Sequence, residues 1–440
     1  MRFATLVVAA SAFILVYSQY AYPNGVHPSF QDGHWIDTWT AMPQLTEYTN
    51  LPNPPFNETG LDFFNSTIRQ TLKVSLPAPQ IRIRLSNELS PVYLNITSMT
   101  IAVPGGNHSA GQSLIETTTL QTITFSGNES VNIPNGAQVV SDPLNFFVTT
   151  NDIISISMYL ANGQQTTQIT SHPGSRINIF YTSGNQISAT NITGPNAQTV
   201  AHWYFLSAVE AWVPKSQSSF MIVGDSITDG RGSTTDANNR WPDLLFDRMQ
   251  AAPSPVIRSI SYGNVAAGGN RLLDDGNGPN ALARFTRDVV AHSGVKYAMI
   301  FEGVNDIGTT SNDTTSQAII GEQIIFVFQQ MITRAHAMGI PMFGATITPF
   351  SAPNSTIQVY SDPIRERTRQ SVNAWIRAEA HFDGVVDFDA VVRDPEVEGQ
   401  LAPEYNSGDY LHPNVLGYEA MAAAFPLGLF EEFAGGVSFW

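Results

Sequence analysis

Three residue types in this chain could together carry out acyl transfer: a serine, a histidine and an aspartate. Ser226 lies in MIVGDSITDG, directly after a run of apolar residues. A serine hydroxyl alone is a poor nucleophile and needs a base to take its proton. Of the nine histidines, only His412 stands in a polar loop before a terminal helical stretch with an acid close by, in GDYLHPNVLGY. Asp409 lies three residues earlier, so one turn of chain can bring its carboxylate to the imidazole. A carboxylate there fixes the tautomer and stabilises the imidazolium formed as the serine attacks. Each motif has a plain alternative: a tight turn at Ser226, and a loop in which Asp409 caps a helix opened by Pro413.

Two further stretches weigh against those alternatives. Asn305 in FEGVNDIG follows the apolar run KYAMI, and its amide could donate to an oxyanion. Gly269 in NVAAGGNRLL follows SPVIRSISY, where a glycine lets a substrate approach the backbone N–H. Turn chemistry would explain either one alone. Together, Ser226, Gly269 and Asn305 each follow a strand pattern, and Asp409 and His412 occupy the last loop. Glu302 and Asp306 flank Asn305 and read as structural support. Asp387 and Asp389 in GVVDFDAVV also end a strand pattern and are a second source for the acid, disfavoured by the short spacing from Asp409 to His412. Glycosidase chemistry on paired carboxylates would leave Ser226 and His412 without a role.

The elements that must position these residues are legible as two regions. From Ser218 to the end, short apolar runs (SSFMIV, SPVIRSISY, KYAMIFEG, IPMFGATIT, DGVVDFD) alternate with helical stretches. The clearest helix is TTSQAIIGEQIIFVFQQMITRAHAMG, closed by Gly339 before Pro341. That alternation predicts an α/β domain with a parallel sheet over 218–440, in which ligands sit beyond the carboxyl ends of the strands. Residues 35–213 instead carry segments such as QIRIRLSNEL and DIISISMYL, separated by Pro-Gly and Asn-Gly turns. They predict a β-rich region of sandwich or jelly-roll type.

With these blocks in place, the second region resembles the SGNH, or GDSL-type, hydrolase superfamily. Gly224-Asp225-Ser226, Asn264 through Gly269, Gly303 through Asp306 and Asp409 through Pro413 match its four blocks. The resemblance implies a three-layer α/β/α, flavodoxin-like domain that hydrolyses esters. Ser226 would be the nucleophile, His412 the base and then acid, and Asp409 the orienting carboxylate. The Ser226 and Gly269 N–H groups and the Asn305 amide would form the oxyanion hole. Gly269 rather than Gly268 keeps the family spacing to Asn270-Arg271. An α/β-hydrolase elbow fits less well, because the second glycine of G-x-S-x-G is missing.

Composition narrows the partners. A net charge of −16 leaves no basic excess for nucleic acid or anionic membranes. The absence of cysteine excludes disulfides, thiol nucleophiles and thiolate-ligated metals. Neither metal nor cofactor is implied. Arg2, the apolar run after it and the small residue Ser18 predict a signal peptide over 1–18 and hence a secreted, extracellular protein, expected to be monomeric. Eight Asn-x-Ser/Thr sequons, at Asn57, Asn65, Asn95, Asn107, Asn128, Asn191, Asn312 and Asn354, fit a eukaryotic secretory route. The stretches DTWTAMPQLTE, SDPLNFFV and SHPGSR resemble esterases associated with polysaccharide breakdown. The expected substrate is therefore an ester, with an acylated polysaccharide as partner and acetyl or another short group removed. A lipase or arylesterase is the rival reading, and a non-catalytic carbohydrate-binding protein the alternative of another class. Trp35, Trp39, Trp203 and Trp212 could stack on sugars, although packing is the favoured role.

Overall fold

The structure, a computed structural model, describes residues 32–276, 278–378 and 380–438. The stretch read as a signal peptide lies outside the described residues.

Seven apolar or small residues in a row, Ser218–Gly224, form a strand buried along its whole length. That burial is what a central parallel strand requires. We number this strand β1; the sheet continues with β2 (Ile260–Asn264), β3 (Val295–Phe301), β4 (Met342–Ala345) and β5 (Gly384–Val386). All neighbours run parallel in the order β2-β1-β3-β4-β5, so the strand order reverses at β1. Ligand sites of open α/β sheets form beyond the carboxyl ends of strands at such a reversal. Only the last part of SPVIRSISY is strand: Pro255–Arg258 is a helical turn, with proline at a first-turn position that needs no N–H.

Helices cover the sheet. The short α1 (Ser226–Asp229) follows β1, and α2 (Trp241–Ala251), α3 (Val304–Thr309), α4 (Thr314–His336), α5 (Pro363–Ala378) and α6 (Val415–Ala424) come later. Helix α2 packs on α6, and α4 packs on α5, giving the two outer layers of a three-layer α/β/α domain. The sequence explains α4 directly. Asp313 caps it by accepting from Ser316 N, and Ile320, Ile324, Val327, Phe328, Met331 and Ala335 repeat at helical spacing and are buried.

The first region is built from antiparallel sheets, the architecture of a β-sandwich. One has four strands, in the order Gly33–Thr40, Leu206–Pro214, Ile81–Ser86 and Gln138–Val140. The other has six, centred on Asp62–Lys73 paired with Ile153–Gln164. In that pair the alternation does not separate core from solvent. Ile154, Ile156, Met158 and Leu160 are buried, but so are Ser155, Ser157, Thr71 and Arg69. Loops cover the polar face, and Arg69 donates to Ser157 Oγ at 2.8 Å and Ser113 O at 2.7 Å.

The two regions share one continuous apolar core. Strand Gly33–Thr40 binds both. It pairs with Leu206–Pro214, and Asp37 N donates to Ser293 O at 3.1 Å in the α/β domain. Ser219 Oγ and Ser261 Oγ donate back to Asp37 O at 3.1 and 2.6 Å. Trp39 and Trp203 are buried edge-to-face at 4.8 Å; Trp35 and Trp212 pack together at 5.3 Å with Arg82 over Trp35. Both pairs act in packing.

Candidate active site

Strand β1 ends at Gly224, and the chain turns at once into α1. Asp225 makes the turn: its backbone is extended, and its carboxylate accepts from Ile227 N at 2.9 Å, capping the new helix. Ser226 is the first helical residue, so its N–H has no carbonyl one turn back within the helix. Gly230 closes the turn at φ 98, a left-handed conformation that a side chain would strain. Ser226 is thus fixed at both ends of a four-residue helix.

The loop carrying His412 meets it. Ser226 Oγ donates to His412 Nε2 at 2.7 Å, and His412 Nδ1 donates to Asp409 Oδ2 at 2.6 Å. The other Asp409 oxygen accepts from the backbone N–H of Leu411 at 3.0 Å and of His412 at 2.8 Å. Gly408 and Tyr410 both take positive φ, 111 and 59, which bends the three-residue span so that carboxylate and ring meet. Tyr410 is not glycine, so the bend stores local strain at this position.

Electrostatics match the geometry. Burial works against the Asp409 carboxylate, but its bonds to His412 outweigh that and hold it well below the usual carboxylate range. Burial lowers His412, opposed by Asp409 and aided by the nearby charges of Arg231 and Arg176. The ring is therefore poised neutral, with Nε2 able to accept the serine proton.

Gly269 and Asn305 lie past the ends of β2 and β3, at the same end of the parallel sheet as Ser226 after β1. Ala267 N donates to Gly224 O at 3.0 Å, tying the second block to the end of β1. Gly269 has φ 71. Asn305 Nδ2 donates to Asn270 O at 2.9 Å, and Tyr360 OH donates to Asn305 Oδ1 at 3.1 Å. The tyrosine sets which way the amide points, and a carboxamide nitrogen has a second hydrogen left for a ligand. Asp306 holds the same segment by accepting from Leu272 N and Leu273 N, at 3.0 to 3.2 Å.

Below the site, Asp225, Glu302 and Asp306 form a buried acid cluster. Burial raises Asp225 to about 7 and Asp306 to about 6, and pushes Glu302 well above its ordinary value. Asp387 and Asp389 are placed differently. Asp389 pairs with Arg369 at 2.5 Å and Arg377 at 2.5 Å, and Asp387 with Arg377 at 2.7 Å. They brace helix α5 and make no contact with His412.

Several supporting residues escaped the sequence reading. Gln358 Nε2 donates to Asp409 O at 2.9 Å, and Tyr360 lies two residues further on, in the long connection after β4. The rule that function follows strand ends would have pointed to that connection. His172, from the first region, bonds Asp229 Oδ1 of α1 at 2.8 Å. Nothing in the sequence signals a contact between residues so far apart.

Residues 222–420 match the model of the GDSL-like lipase/acylhydrolase family. The α/β domain is a GDSL-type acylhydrolase domain. No curated protein sequence matches the chain. Among solved structures, the chain is similar to a GDSL-like lipase from Bacteroides thetaiotaomicron, with 20% identity, 50% of this chain and 91% of that one covered, and a TM-score of 0.36. It is also similar to an acetylxylan esterase from Geobacillus stearothermophilus, with 22% identity, coverage of 49% and 96%, and a TM-score of 0.36. The GDSL-type domain acts on esters.

Proposed function

We propose that this protein is a secreted serine esterase that works through an acyl-enzyme. The observation that carries the reading is the unbroken bond chain from Ser226 through His412 to Asp409. Ser226 Oγ attacks the ester carbonyl as its proton passes to His412 Nε2, and Asp409 stabilises the imidazolium. The negative oxygen receives the Ser226 and Gly269 N–H groups and the free hydrogen of the Asn305 amide. As the intermediate collapses, His412 gives its proton to the departing alcohol oxygen, leaving an ester on Ser226. Water, deprotonated by His412, then attacks that ester, and Ser226 recovers its proton as the acid leaves.

For the substrate we propose acetyl or another short acyl group on carbohydrate, which rests on the resemblance of DTWTAMPQLTE, SDPLNFFV and SHPGSR to polysaccharide esterases. One observation favours longer or aromatic acyl groups. Ile357 and Val359 are exposed on the connection whose intervening Gln358 holds Asp409, giving an apolar rim to that side. The test is hydrolysis of nitrophenyl acetate by wild type and Ser226→Ala, with folding followed by circular dichroism. Activity should vanish in the variant without loss of fold, and near-wild-type turnover would remove Ser226 from its role. Acetate release from acetylated xylan, set against nitrophenyl esters of rising chain length, decides between the two substrate readings.

A further inference from the structure

Arginines in this molecule are generally bonded. Arg84, Arg284 and Arg369 pair with buried carboxylates, and Arg248 and Arg365 donate to carbonyls. Among the described residues, the exposed Arg231 and the half-buried Arg176, like the exposed Arg367 of α5, form neither an ion pair nor a side-chain hydrogen bond, and Nε of Arg176 is shut off from solvent with no acceptor. Arg176 and Arg231 belong to segments fixed against the active site, and they come from different regions.

Arg231 is attached to the nucleophile itself. Its N–H donates to Ser226 O at 2.9 Å, and its carbonyl accepts from Tyr418 OH at 2.6 Å. The next residue, Gly232, has φ 100 and lies so close to Pro413 O that a Cβ there would overlap it. The Arg231 backbone is thus held between the Ser226 turn and the loop of His412. Arg176 sits on the first region's loop SHPGSR. That loop is pinned by His172 on Asp229, by Gly174 against the Asp229 carboxylate, and by Arg240 donating to Ser175 O. Arg176 O accepts from Asp236 N at 2.8 Å, and Arg176 itself is held at a positive φ of 56. A non-glycine residue kept there by so many bonds marks a position where the surroundings insist on one orientation.

The acids nearby are already engaged. Asp236 accepts from Asn178 N at 2.7 Å and Asn178 Nδ2 at 2.6 Å, and Asp409 is taken by His412. Both guanidinium charges reach His412, where they oppose the imidazolium that forms during attack. These cations keep the resting ring neutral but disfavour its protonated form, and an anion on the substrate would offset that cost. In a chain of net charge −16 they also make a local exception.

We propose that Arg176 and Arg231 form an anion subsite beside Ser226, with one guanidinium from each region, that selects esters carrying a carboxylate near the scissile bond. The subsite rests on the esterase reading and assigns the first region a part in substrate choice. The carboxylate could sit on the alcohol side, as in an acetylated uronic acid, or on the acyl side, as in a dicarboxylic half-ester.

The experiment uses the full chain and two matched pairs: acetylated glucuronic acid against acetylated glucose, and nitrophenyl hemisuccinate against nitrophenyl butyrate. In each pair the readout is the ratio of kcat/KM, charged over neutral, so a change in the base shared by both substrates cancels. At least one pair should give wild type a ratio of about ten or more, as expected for a charge-assisted contact. Arg176→Gln and Arg231→Gln should each reduce it several-fold, the lysine variants should restore part of it, and added salt should weaken it. Which pair responds locates the carboxylate. Ratios near one in both pairs, or ratios unmoved by either glutamine variant, overturn the subsite while leaving the esterase intact. No hydrolysis of any ester, charged or neutral, by wild type would instead overturn the esterase reading beneath it.

Discussion

Two histidine–aspartate pairs meet the same short helix, one at each end, and they do different work. His412 gives Nδ1 to Asp409 and turns Nε2 to Ser226 Oγ. His172 bonds Met42 O through Nδ1 at 3.0 Å and Asp229 through Nε2 at 2.8 Å, and stacks on Trp203. One ring has a nitrogen facing a reactive hydroxyl, so it can move a proton. The other has both nitrogens committed to protein, so it can only hold. The same side chains, at nearly the same distance, are base or strut according to what occupies the second nitrogen.

Removing each histidine in turn should separate the two roles. His412→Ala should lower kcat by about four orders of magnitude, leaving only the rate supplied by binding and the oxyanion donors. Its unfolding midpoint in urea should stay close to wild type, since the neighbouring Asp409 is partly in contact with water. A loss of less than tenfold in single-turnover assays would mean that another group takes the proton.

His172→Ala should do the reverse. It strands Asp229, whose second oxygen is buried without a partner, and breaking a buried pair in this way costs about 3 kcal/mol. Urea denaturation should report that loss, with kcat of the folded fraction falling far less than in His412→Ala. An unchanged midpoint would refute the strut.

Much of this was legible in the chain, for reasons of distance. Asp409 and His412 are three residues apart, and a contact that local can be read from spacing. Ser226, Gly269 and Asn305 could be placed because apolar runs mark strands, and strands of a parallel sheet deliver their following residues to one end. The alternation in DIISISMYL predicts a strand with one polar face, but alternation does not say whether loops will cover that face. The strut was illegible for a stronger reason. His172 and Asp229 meet only because two sheets pack, and neither residue carries a local signal of the other.

Carboxylates at the site repeat the contrast between a partnered and an unpartnered group. Asp409, bonded to His412, is held down; Asp225, one residue from Ser226, has no cation, and burial raises it to about 7. A group raised in the folded state gives stability that is complete below its unfolded value of 3.8 and is lost as pH rises through 7. Asp225→Asn keeps an acceptor for Ile227 N and removes that titration. Stability against pH should flatten between about pH 4 and 7, by about 1–2 kcal/mol, because Glu302 and Asp306 still titrate beside it. A slope identical to wild type would show that Asp225 takes no part.

The smallest effect probes the free face of the catalytic ring. His412 acts only when neutral, and burial together with Arg231 and Arg176 lowers it against the pull of Asp409. The acid limb of kcat/KM for a neutral ester should therefore lie below about 6.5, the ordinary histidine value. Arg231→Gln removes one of the opposing charges, so protonation becomes easier and the limb should move up in pH. Asp409 remains in place, so the variant stays active enough to measure. A limb that moves down, or that starts above the ordinary value, would mean that the ring does not feel the cation. The contrast with His172 would then rest on hydrogen bonds alone.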